Sequence, residues 1–138
     1  MNRTKGWLEA EISKALTRWE KEYLGRGSTA AKTDIVRDMI IVSLKVTLTP
    51  AEQALCETEE GRQAVKVMRN RLLESGAEAL CSLIERLTGM PVRSLHTDLS
   101  TRTGERIIVF RLNDDLERRL MNGDGFGDGA GAGDRENG

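Results

Sequence analysis

The sequence predicts an α+β fold, in which an α-β-β-α-β-β order makes two layers. The sheet is mainly antiparallel, with long helices on one face. Three observations predict it. Apolar residues recur at steps of three and four near the N-terminus and again through the middle of the chain. A segment rich in Val, Ile and Thr follows each periodic stretch, and each such segment contains residues that can turn the chain back. The length of 138 residues, 38% hydrophobic and 31% charged, suits one domain with a modest core, which 4% aromatics makes mostly aliphatic.

From Gly6 to Leu24, Leu8, Ile12, Leu16, Trp19 and Tyr23 form one helical stripe, with Glu9, Lys14, Glu20 and Lys21 assigned to the polar side. Gly25-Arg26-Gly27 terminates this helix. In the stretch from Asp34 to Pro50, Val42, Leu44, Val46 and Leu48 alternate with Ile41, Ser43, Lys45 and Thr47. That alternation predicts a sheet with one covered face and one more polar face. Arg37-Asp38 turns the chain, pairing Thr33–Val36 with Met39–Thr47. Thr49, Pro50 and Glu52 carry a helix-opening signature with an approximate capping box. A long helix is expected from Glu59 to Leu87, bent at Gly76, and ended by Gly89 and Pro91.

The stretch from Ser94 to Phe110 then reads as two strands, Val92–Ser100 and Glu105–Leu112, joined by Thr101-Arg102-Thr103-Gly104. An even loop places Leu95 opposite Phe110 and Thr97 opposite Ile108 on the helix-covered side. His96 then faces Val109 and Asp98 faces Ile107 on the other side. One or two helical turns follow in the segment 113–121. Residues 1–120 are read as the folded domain, and residues 121–138, rich in Gly and Asp, as a disordered tail.

Charge and composition exclude several functions. Twenty-one basic and 22 acidic side chains leave a net charge of −1, so no field of one sign draws the protein onto nucleic acid. No segment approaches the ~18 apolar residues of a spanning helix. The N-terminus has no apolar leader, and Cys56 and Cys81 have no metal-ligand spacing. The expectation is therefore a cytoplasmic protein with free thiols. One histidine and two distant cysteines do not make a metal first shell, and no cofactor motif is present. A calcium loop starting at Asp124 would need a glutamate where Arg135 stands.

His96 and Asp98 are the only titratable pair resembling a general base or a pH sensor. Same-face neighbours on one strand lie ~6.5–7 Å apart, long for a direct hydrogen bond, so a non-catalytic strand histidine is the better account. Arg62, Lys66, Arg69 and Arg71 give the long helix a basic first half. Nearby Glu57, Glu59, Glu60 and Glu74 make that an ion-paired face.

Taken in order, Gly25-Arg26-Gly27, Leu48-Thr49-Pro50-Ala51-Glu52, Glu60-Gly61-Arg62 and the segment from His96 to Glu105 resemble the MpsC-like family of small bacterial proteins. Its name comes from a Na+-translocating, membrane-potential-generating system. The resemblance runs from Ile12 to Leu112. It departs at Ser28, where proline is expected, and at Val46, where glycine is expected. It implies an accessory to a membrane ion-translocating complex, held at the inner membrane through that partner, and assigns no catalytic residues. Two readings therefore stand. One is a non-catalytic, homodimeric interaction protein with Arg26, His96, Asp98 and Glu105 at interfaces or turns. The other is a small-molecule or anion sensor using the His96/Asp98 face.

Overall fold

A computed structural model describes residues 4–25 and 30–123. The elements run α1 (Lys5–Leu24), β1 (Ala31–Val36), β2 (Met39–Lys45), α2 (Pro50–Leu55), α3 (Glu59–Ser75), α4 (Ala77–Thr88), β3 (Val92–Leu99), β4 (Glu105–Leu112) and α5 (Leu116–Met121). The four strands form one antiparallel sheet in the order β1-β2-β4-β3. The expected α+β layout holds, and the helix opening at Thr49 and the helical turns within 113–121 form the short helices α2 and α5.

Period-two alternation sorts the sheet. Ile35, Ile40, Val42, Leu44, Ile108, Phe110 and Leu112 point into the core. Leu8, Ile12 and Leu16 of α1 and Leu80 and Ile84 of α4 meet them there. Each such side chain removed from water contributes roughly 1.5–3 kcal/mol. The strand register is as the alternation requires: Leu95 pairs with Phe110, His96 with Val109, Thr97 with Ile108 and Asp98 with Ile107. A bulge between Val92 and Ser94 shifts the start of β3.

The β1–β2 hairpin turns at Arg37, which takes a left-handed φ of 55°. α5 braces this turn, because Glu117 accepts the Arg37 N–H at 2.8 Å and pairs with Lys5 of α1 at 2.8 Å.

Two expectations need correction. The helix over 59–87 is two helices, α3 and α4, and Gly76 separates them rather than bending one rod. A Cβ at Gly76 would lie 2.5 Å from the Trp19 indole, which stacks on Tyr23 at 4.9 Å. The chain breaks where α1 needs room. Glu20, assigned to the polar side of α1, is only 5% exposed. It continues the i+4 row of Leu8, Ile12 and Leu16, whereas Tyr23 is 48% exposed.

Candidate functional site

The sheet face opposite α1 and α4 is ordered by the same alternation that makes the core. Its cross-strand rows are Lys32-Ser43-Ile107-Asp98, Asp34-Ile41-Val109-His96 and Val36-Met39-Arg111-Ser94. The two inner strands thus set Met39, Ile41, Ile107 and Val109 side by side, half-buried, inside a rim of charged and hydroxyl side chains. Ile41 and Val109 face each other across the strands at ~4.5–5.5 Å, and Met39 and Ile107 flank them as diagonal neighbours ~7–8 Å away, so these four make one continuous apolar patch.

At one end of this face, a groove of about 390 Å³ opens between the start of α3 and the β3–β4 loop. It brings Asp98 and Glu105 together with Arg62, Lys66 and Arg102. Asp98 Oδ1 accepts the Leu99 N–H at 2.9 Å, pairs with Lys66 Nζ at 3.3 Å and receives Asn70 Nδ2 at 3.5 Å. The Leu99 amide, helped by the Lys66 ammonium, holds the Asp98 carboxyl below the usual carboxylate range. Glu105 Oε2 accepts from Ser43 Oγ at 3.1 Å. Glu59 also lines the groove, and Arg62 and Gln63 hold its carboxyl below the usual range. Three acidic groups (Glu59, Asp98, Glu105) therefore face three basic ones (Arg62, Lys66, Arg102). A balanced lining has no net field to concentrate a small anion.

His96 lies outside this groove. Its Nε2 is 3.0 Å from Ser94 Oγ, while Asp98 is engaged by Lys66, Asn70 and the Leu99 amide. The two residues share a face as separate rim positions rather than as a hydrogen-bonded dyad. Arg26 lies outside the described residues. Among the described residues, no group of three or more His, Cys, Asp or Glu could hold a metal ion. No helix among them is long and apolar enough to cross a membrane.

Beneath the groove runs a polar layer that the sequence reading missed. Arg106, 2% exposed, donates to Asn70 Oδ1 at 3.0 Å and to Thr97 Oγ1 at 2.8 Å, tying α3 to β3 and β4. Burial lowers its pKa from the ordinary arginine value, and the Glu20 carboxylate opposes that shift. Period two was the available signal, because Arg106 is in phase with Ile108, Phe110 and Leu112.

Much of what made the sequence recognisable is scaffolding around this seam. Thr49 and Glu52 form a complete capping box at α2, and Glu52 also receives two hydrogen bonds from Arg69, at 2.7 and 3.0 Å. Gly61 lets α3 press on the Leu55 carbonyl, where a Cβ has no room, and Arg62 caps the Cys56 carbonyl at 2.9 Å. Gly104 sits at φ 76°, its carbonyl accepts the Val46 N–H at 2.7 Å, and a side chain there would crowd the Val46 carbonyl. Of the four basic residues expected on an ion-paired face, Arg62, Lys66 and Arg69 are engaged by Glu59, Asp98 and Glu52, and Arg71 is not.

Comparison with known proteins bears on this scaffold. The profile of a family described as "Na+-translocating membrane potential-generating system (MpsC)" matches residues 4–114. A protein of Bacillus subtilis (strain 168) described as "Uncharacterized protein YbcI" is 57% identical over 120 residues, covering 87% of this chain and 97% of that protein. No solved structure matches the chain.

Proposed function

The chain belongs to the MpsC family, and on that premise we propose that it is a non-catalytic accessory protein of a Na+-translocating, membrane-potential-generating complex. It docks on that complex from the cytoplasmic side through its open sheet face, and it works as a homodimer. The observation that carries this reading is the continuous patch of Met39, Ile41, Ile107 and Val109 on an uncovered sheet face. An aliphatic centre inside a polar rim is the anatomy of a protein–protein interface. His96, Asp98 and Glu105 are rim residues in this reading: they set orientation and on-rate rather than chemistry. Two free thiols, Cys56 and Cys81, suit a reducing compartment.

Photocrosslinking in native cells tests the proposal. A benzoylphenylalanine at Ile41 should give an adduct with an integral membrane subunit of the Na+ system, and the same probe at Arg86 on the helical side should not. Absence of that adduct at native expression, together with an unchanged Na+-dependent membrane potential after deletion, would sink the reading.

A further inference from the structure

α3 carries two apolar stripes. One, with Val65 and Leu73, is buried against the domain. The other points away from it, with Val67 at 50%, Met68 at 44% and Leu72 at 46% exposure. Three of the seven large exposed hydrophobic side chains among the described residues thus sit on one helix, within two turns. A single amphipathic helix in a finished fold needs one apolar face.

We propose that this second stripe is a two-fold interface, on which α3 of a second copy packs antiparallel with Met68 at the axis. The inference rests on the dimeric part of the functional reading and assigns its surface. Glu60, Ala64, Met68 and Leu72 form one i+4 row. An antiparallel mate centred on Met68 sets Ala64 against Leu72, small against large, at both ends of the contact.

The charges select this direction. Glu60 and Arg71 flank the stripe, and neither makes an ion pair or side-chain hydrogen bond among the described residues. In the antiparallel pair, Glu60 lies about 7.5 Å along the axis from the second copy's equivalent of Arg71, at 1.5 Å per residue. An arginine side chain spans that gap, and the two-fold forms the pair twice. A parallel mate would instead set like charges side by side at both positions. This surface is separate from the open sheet face, so both can be occupied together.

The test uses the full-length chain with Cys56→Ser and Cys81→Ser, carrying either Met68→Cys or Ala64→Cys, under mild oxidation. Met68→Cys should link to its own copy and run at twice the 15.3 kDa chain mass. Ala64→Cys should not, because antiparallel packing holds the two copies of that residue about 12 Å apart along the axis. Both substitutions are at exposed positions, and a circular-dichroism melt checks that each variant folds. Linking of both variants refutes the antiparallel direction. A dimer by light scattering that links at neither position places the contact elsewhere, overturning this inference while leaving the dimer reading intact. A monomeric mass at 100 µM removes both.

Discussion

The Arg69→Met variant is the most direct probe of the ion pair that holds α3 against α2. Arg69 gives Glu52 two charge-assisted hydrogen bonds, at 2.7 and 3.0 Å, and the two side chains are 14% and 11% exposed. Methionine keeps most of the packed volume and removes the charge. Losing one partner of a buried pair costs about 3–5 kcal/mol, because the remaining charge is left desolvated. Glu52 keeps the Thr49 N–H at 2.8 Å, which places the loss near the lower end, at about 3 kcal/mol. For a domain of this size that lowers Tm by roughly 12 °C. Urea unfolding followed by circular dichroism measures it.

The pH dependence gives a second readout. Arg69 is the main cause of the lowered Glu52 pKa. A carboxylate depressed in the folded state contributes fully above its unfolded pKa, and the contribution disappears as pH falls through the folded value. The gap between wild type and variant should therefore shrink on acidification. Adding Glu52→Gln to Arg69→Met should restore at least ~1 kcal/mol, since no buried charge remains. A loss under ~1 kcal/mol at pH 7, or a gap independent of pH, would refute the reasoning.

Three further outcomes are expected. Gly61→Ala forces a methyl onto the Leu55 carbonyl, so α2 and α3 must separate; chemical denaturation should show a loss of ~2 kcal/mol or more. Arg106→Met removes both bonds from the buried guanidinium and leaves Glu20 without its field, costing about 2–4 kcal/mol in the same assay. Val109→Lys, at the centre of the open sheet face, should remove crosslinking from Ile41 while the folded far-ultraviolet spectrum persists. Full crosslinking by that variant would remove the sheet face from the proposed function.

How legible this protein was depends on the range of the interaction concerned. The β3–β4 register followed from alternation and loop length, because a one-residue slip would expose Leu95 and Phe110. The cap at Thr49 followed from residues three positions apart. His96 and Asp98 were correctly placed on one face, but alternation could not say that Lys66 and Asn70, some thirty residues earlier, take Asp98 while Ser94 takes His96.

The sequence by itself determined the α+β class, the pairing within each hairpin, the faces of the sheet and the starts of α2 and α3, since each rests on short-range periodicity or capping; the β2–β4 pairing that joins the two hairpins came only from the tertiary structure. Only the tertiary structure decided that Gly76 divides two helices, that Glu20 and Arg106 are interior, that Asp98 and Glu105 share a groove, and that the 64–68–72 row of α3 is left outside. Those outcomes depend on which surfaces meet across long stretches of chain. Spacing along one helix reveals its apolar stripes, but not which of them the rest of the fold will cover.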